Sequence, residues 1–207
     1  MAVKTFSKSA ALTYGWKKTK THFKFLIVVL VLFFVASALP GFVSDFFADQ
    51  DSGVLSFIAA LIGWALQITV SLGLINVVLK IHDGKKTTHS DLFKHYRLII
   101  PYVIGSVIYS VIVFVGFLML VIPGIIWAIK FQYFSYLMVD RGMGPIDALK
   151  ESAKITEGVR TNLFFLKLLL VVINIVGMLF FVVGLLVTIP ISIMAEAYVY
   201  RKLYPKK

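Results

Sequence analysis

Six apolar stretches, each near the length one α-helix needs to cross a hydrocarbon layer, occupy most of this chain and leave few folds open to it. A hydrocarbon core about 30 Å thick takes roughly 20 helical residues. Backbone N–H and C=O groups inside lipid have to be satisfied within the spanning element, which selects helices here. The stretches run approximately from Phe23 to Leu39, Val54 to Leu79, Leu98 to Ile122, Gly124 to Val139, Leu163 to Leu185 and Ile189 to Tyr200. With 59% of 207 residues hydrophobic, a soluble domain would lack the interior to hide this surface. The reading is an all-α, polytopic transmembrane helix bundle, a single membrane domain over residues 1–207. Its six spans form three hairpins over about 23–79, 98–139 and 163–200.

Two divisions rest on proline. Pro123-Gly124 separates the third stretch from the fourth, and Pro190 separates the fifth from the sixth, because one straight helix through either run would far exceed the bilayer. No crossing shows a broken, unwound centre of the kind that builds many transporter sites.

The placement of charge orients the chain. All 21 lysines and arginines fall within Lys4 to Lys24, Lys80 to Arg97, Lys130 to Lys167 or Arg201 to Lys207, and the other three connections have none. Short loops that keep basic residues stay cytoplasmic, so these four regions and both termini are read as cytoplasmic. The longest outward loop, Pro40 to Gly53, carries Asp45, Asp49 and Asp51 and no base. A net charge of +11 spread between apolar runs points to anionic lipid headgroups on the inner face as partners, not to nucleic acid. With no cysteine, the chain has no disulfide framework, thiolate metal site or cysteine nucleophile. Basic residues up to Lys24, the apolar Phe25 to Val35 and Ala36-Ser37-Ala38 imitate a cleavable secretory signal. The basic region is long and the pattern recurs mid-chain, so this stretch is read as a retained helix.

That recurrence is an internal repeat, in which about 6–39 resembles about 149–182. A shift of 143 positions lays Ser9-Ala10, Thr13, Gly15, Lys17 and Lys24 on Ser152-Ala153, Thr156, Gly158, Arg160 and Lys167. Each copy reads as a short amphipathic helix on the inner membrane surface, a glycine, a basic residue and a span. In the second copy Asp147, Lys150, Glu151, Lys154 and Glu157 make a solvated face, opposite Leu149, Ser152, Ile155 and Val159, after a Gly144-Pro145 start. A fainter third copy is a helix from Thr88 to Arg97, opened by a Thr88-x-x-Asp91 cap and carrying Leu92, Phe93 and Tyr96.

The segment Leu120-Val-Ile-Pro-Gly-Ile-Ile-Trp-Ala-Ile-Lys130, then Gly144-Pro-Ile-Asp-Ala-Leu-Lys-Glu-Ser-Ala153 and Gly158, resembles the membrane domain that precedes the catalytic barrel in some bacterial glycerophosphoryl diester phosphodiesterases, and that domain's stand-alone relatives. Gly15-Trp16 followed by lysines is similar to their opening. The resemblance implies a six-helix domain of a prokaryotic cell membrane. It does not imply phosphodiesterase activity, which in that family belongs to the barrel, and no barrel sequence is present here.

Several residues are candidates for a role beyond threading. If Pro123 and Pro190 both mark the outer surface, Lys130 and Glu196 lie at a common depth of about 10 Å. A buried ionised group seeks a partner, so a mutual ion pair is expected, with Gln132 and Gln67 nearby. The pair marks a polar pathway or a site for an anionic or zwitterionic headgroup, or else only a packing contact. His82, Asp83, His89, Asp91 and His95 crowd the second basic connection and supply imidazole and carboxylate for zinc or nickel, with His89, Asp91 and His95 as the candidates, though their spacing matches no standard metal motif and a solvated loop explains them equally. Lys24 and Lys167, equivalent in the repeat, are read as snorkelling lysines or lipid-headgroup ligands. Trp16, Trp64, Trp127, Tyr102, Tyr198 and Tyr200 read as interface anchors. Ala59-x-x-x-Gly63 and Ser106-x-x-x-Ser110 have the spacing of close-packed faces. No hydrolase or phosphate-loop motif occurs and no cofactor is implied. The expectation is a non-enzymatic, lipid-interacting scaffold or accessory subunit, with a small transporter or channel around Lys130 and Glu196, and then a lipid-headgroup enzyme, as alternatives.

Overall fold

The computed structural model describes residues 6–48 and 53–206, and among these it contains helices and no strand. In chain order they are α1 (Lys8–Thr21), α2 (Phe23–Ala48), α3 (Gly53–His82), two short 3-10 turns (His89–Leu92 and Tyr96–Leu98), α4 (Ile99–Met119), α5 (Val121–Phe131), α6 (Phe134–Arg141), α7 (Pro145–Ile155), α8 (Arg160–Leu179) and α9 (Phe181–Leu203). Among the described residues six segments are long and apolar enough to cross a membrane: Phe23–Val43, Ser56–His82, His89–Met119, Val121–Arg141, Arg160–Leu179 and Val183–Leu203. They pair as α2 with α3, α4 with α5 and α6, and α8 with α9. The chain is therefore a multi-pass, all-α membrane protein.

The prolines do not sit where the sequence places the breaks. Pro40 lies inside α2, which continues to Ala48 and packs Pro40 against Gly63 of α3. Of the acidic outer loop, Asp45 falls in α2, while Asp49 and Asp51 lie outside the described residues. The α4–α5 turn is Leu120, extended at φ −172°, ψ 158°, and Pro123 and Gly124 belong to the first turn of α5. Proline costs little there, because the first N–H groups of a helix have no intrahelical partner to lose. Gly124 is needed for contact, since a β-carbon would enter the Phe117 ring. Pro190 lies within α9, whose turn from α8 is at Phe180, where Gly177 and Gly184 cross backbone to backbone. Close approach of small residues, more than proline, closes these two tips.

The fourth crossing is broken, which the sequence reading excluded. Between α5 and α6, at Gln132 and Tyr133, the helical ladder lapses, and α7 supplies what is lost. Buried Ser152 accepts from the Tyr133 N–H at 3.1 Å and donates to the Lys130 carbonyl at 3.1 Å; Thr156 donates to the same carbonyl at 3.1 Å. Backbone groups without partners in an apolar setting would be costly, and two hydroxyls remove that cost. The face of α7 is the one its spacing predicts, with Ala148, Leu149, Ser152 and Ile155 buried and Pro145 in its first turn.

Each element that precedes a hairpin packs on the second limb of another hairpin. The first 3-10 turn sits on α3, α7 on α5 and α6, and α1 on α9. The third amphipathic helix expected over Thr88 to Arg97 is thus replaced by two short turns, although Asp91 does accept from the Thr88 N–H at 3.0 Å. Nor is α1 an isolated surface helix. It lays the small-residue line Ala11, Gly15 and Thr19, all buried, along α9, so that a β-carbon on Gly15 would strike the Ile191 carbonyl. The contact points on the three limbs are Gly73, which meets Leu92, the Lys130 carbonyl and the Ile191 carbonyl. Each lies ten residues before a charged residue at the end of its limb: Asp83, Asp140 and Arg201.

Candidate functional site

Those three charged residues meet. Arg201 donates from Nε and Nη2 to the two carboxylate oxygens of Asp83, both at 2.9 Å, and from Nη1 and Nη2 to Asp140 at 2.7 and 2.8 Å. A planar guanidinium can satisfy two carboxylates at once in this way, whereas an ammonium presents one point charge. The side chains are 5%, 13% and 4% exposed, so the cluster works away from solvent. Tyr200 donates to Asp140 at 3.0 Å and Lys206 approaches Asp83 at 3.4 Å. Arg141 reaches across to the Pro205 carbonyl at 2.9 Å. Beside the cluster the Tyr133, Tyr136 and Tyr200 rings pack edge-on or tilted, with centroids 5.2 to 5.7 Å apart. Tyr200, read from sequence as an interface anchor, is fully buried. One residue from each hairpin thus joins a single hydrogen-bonded lock at one end of the bundle.

Tyr14 of α1 packs in tilted contact with the His82 and Tyr198 rings, centroids 5.0 and 4.8 Å away, beside this lock. Burial, with smaller contributions from the Asp83 charge and Tyr198, pushes its hydroxyl up to about 12, so it stays neutral. At the end of α1, burial and then the Lys18 charge lower the pKa of His22 below the ordinary histidine value.

The second polar feature corrects the predicted ion pair. Glu196 is held by Lys167, Nζ to Oε1 at 2.8 Å, and not by Lys130. Lys130 instead places its ammonium 5.1 Å from the Phe131 ring centroid. The common-depth argument fails because α9 begins at Phe181. Glu196 lies about 22 Å along α9 from its tip, Lys130 about 13 Å along α5 from its own, and Lys167 about 18 Å from the end of α8. Antiparallel neighbours α8 and α9 bring Lys167 and Glu196 level, and higher up Asn174 donates to Ser192 at 2.9 Å. Lys167 is accordingly committed to a carboxylate, while Lys24 is exposed at the start of α2.

His89, Asp91 and His95 do not assemble a metal site. Asp91, 1% exposed, is taken by Lys80 at 2.8 Å and Lys94 at 2.6 Å. His89 stacks on Phe25 at 5.0 Å, and among the described residues no three His, Cys, Asp or Glu side chains are grouped to hold a metal ion. Asp91 is a structural tie that also anchors the turn to α3, with Asn76 donating to its carbonyl at 3.2 Å.

Grooves open toward lipid where one hairpin meets the next. Between α3 and α4 a groove of about 460 Å³ is lined by Trp64, Gln67, Ser71, Tyr102, Ser106 and Ser110. Ser106 and Ser110 therefore line a groove, and among the described residues the buried Ser106 hydroxyl has no hydrogen-bond partner. Between α5 and α8 two adjoining grooves share Ile125, Ile129 and Phe164; one includes Gln132 and Lys167, the other Arg160 and Thr161. Gln67 and Gln132, grouped by the sequence reading, lie in different seams. From sequence, Asp83 stands only among candidate metal ligands and Arg160 only as the basic residue of the repeat, and Asp140 and Arg201 are not singled out. The one available signal was that Asp83, Asp140 and Arg201 each end an apolar stretch.

No family model matches the chain, and no solved structure matches it. Over 157 residues it is 34% identical to an uncharacterized protein of Mycobacterium tuberculosis strain H37Rv, an alignment covering 73% of this chain and 46% of that protein. An uncharacterized protein of Mycobacterium bovis matches at the same identity and coverage. The chain thus spans about half the length of the curated relatives it matches.

Proposed function

We propose that this protein is a non-enzymatic, lipid-interacting scaffold or accessory subunit of a prokaryotic cell membrane, with the lock end of the bundle in the cytoplasm. The observation that carries the reading is the lock itself. Alternating access needs one hairpin to rock against another, and Arg201 ties all three at one end through four short charge-assisted hydrogen bonds. Buried charge clusters of this kind cost several kcal/mol to break, which favours a fixed body over a moving one. The grouping of lysine and arginine supports the orientation. The resemblance to membrane domains that accompany a separate catalytic barrel supports the accessory role. Reconstitution into liposomes with ion-flux, solute-uptake and lipid-scrambling assays tests it: a scaffold gives none of the three, and activity above empty liposomes overturns the reading.

A second reading has one observation in its favour. The α3–α4 groove carries Gln67, Ser71 and Ser110 along a lipid-facing seam, with the buried Ser106 hydroxyl unpaired among the described residues, polar groups that a pathway for lipid headgroups or a small solute would use. If flux or scrambling is found, Gln67→Leu and Ser106→Leu abolish it under this reading.

A further inference from the structure

The proposed lipid-interacting role leaves open which surface takes a lipid and of what charge; the inference below rests on that role. Lys167 is committed to Glu196, and Lys80 and Lys94 to Asp91. Arg160 is different. It opens α8, it is only partly exposed, its Nε is buried, and among the described residues no carboxylate or other hydrogen-bond partner meets its side chain. A guanidinium whose Nε is buried without a partner has unused donor capacity, and its planar donor set matches phosphate oxygens.

The side chain stands at the mouth of a groove of about 460 Å³ whose other walls are Ile122, Ile125, Ile126, Ile129, Thr161 and Phe164. Ile122 is 70% and Ile126 42% exposed, while Ile129 is buried, so this aliphatic strip of α5 opens from Ile126 to the tip of the helix. From Ile129 to Ile122 the strip extends about 10 Å along the helix, the reach of several methylene groups. A cation lacking its counter-charge, continuous with an aliphatic channel in a membrane protein, is complementary to one kind of molecule. The neighbouring seam repeats the chemistry: Trp16, Thr19, Lys20, Phe23 and Val187 line an apolar groove where α1 and α2 meet α9, and Lys20 carries no ion pair among the described residues.

We infer that the α5–α8 seam is a binding site for an anionic glycerophospholipid, with its phosphate on Arg160 and the Thr161 hydroxyl and one acyl chain along Ile122, Ile126 and Phe164. The anionic headgroup supplies the charge that the fold withholds from Arg160, and the chain covers the strip that α8 leaves open. Lys167, deeper in the adjoining groove, takes no part, because Glu196 already neutralises it.

Native mass spectrometry of the purified protein in detergent, titrated with phosphatidylglycerol or phosphatidylcholine, tests the site. The wild type binds phosphatidylglycerol in preference. Arg160→Gln reduces that preference about five-fold, the effect of one well-placed cation on an anionic lipid. Arg160→Lys keeps most of it, and Ile126→Trp, which fills the strip, weakens both lipids. Lys24→Gln, on the exposed face of α2, leaves the preference unchanged. Glycerol phosphate, which has the anion without the chain, fails to displace the lipid. Detergent melting of each variant confirms folding, and Ile126→Trp carries the test should Arg160→Gln not fold. Wild-type selectivity in Arg160→Gln, undiminished binding in Ile126→Trp, or displacement by glycerol phosphate overturns the site. Flux or scrambling in liposomes would overturn the scaffold role and leave the site standing, so the two failures are distinct.

Discussion

Replacing Arg201 by methionine would leave Asp83 and Asp140 facing one another with no shared cation between them, in a cluster whose side chains are at most 13% exposed. Removing one member of a buried charge network typically costs about 3 to 5 kcal/mol. Arg201→Met is therefore expected to lower the melting temperature in detergent sharply. Arg201→Lys, which keeps the charge but cannot fork to two carboxylates, falls between wild type and Arg201→Met. The Lys167–Glu196 pair is a second case at this scale. Lys167→Met strands Glu196, and the double change with Glu196→Leu recovers stability, a coupling of about 1 kcal/mol in a detergent-melting cycle. Lys130→Met with Glu196→Leu is additive within about 0.5 kcal/mol, and coupling there would reinstate the pair that depth-counting predicts.

Among the elements, α1 and α7 show how one sequence pattern serves two structures. Gly15 and Gly158 are aligned by the repeat read from the sequence, yet Gly158 turns the chain at φ +80°, where a side chain is strained, while Gly15 lies inside α1 against a backbone carbonyl. Ser152 bridges a helix break, while among the described residues its counterpart Ser9 bonds only Ser7, at 2.8 Å. Gly15→Leu should push α1 off α9, because the Ile191 carbonyl cannot retreat as a side-chain tip would. A loss of about 1 to 3 kcal/mol is expected, with faster tryptic cleavage at Lys17 and Lys18. Unchanged cleavage would mean that the α1–α9 contact is not held in solution. At the other tips, Gly116 with Gly124 and Gly177 with Gly184 let helices cross at backbone distance, which neighbouring prolines alone do not achieve.

For the whole molecule, the lock, the Asp91 tie and the α1 contact gather the ends of α3, α6 and α9 on one side. In the proposed orientation that side is cytoplasmic. The chain has no cysteine, so single replacements report cleanly. Lys86→Cys and Lys154→Cys should react with a membrane-impermeant maleimide only in inside-out vesicles, and Leu120→Cys at the α4–α5 turn only in right-side-out ones. Labelling of position 86 or 154 from outside would invert the threading.

What the residues settle unaided is the number of crossings and the clustering of basic connections, because length, hydropathy and the cost of carrying charge through lipid are properties of short segments. The amphipathic face of α7 is legible for the same reason. Which charges pair is not. Lys167 reaches Glu196 because α9 starts at Phe181, and Arg201 meets Asp83 and Asp140 because three limbs end together. Those matches depend on helix tips set by glycine crossings and on a break healed by Ser152 from a distant helix. Pairing across such separations is a property of the packed bundle, so only the tertiary structure decides it.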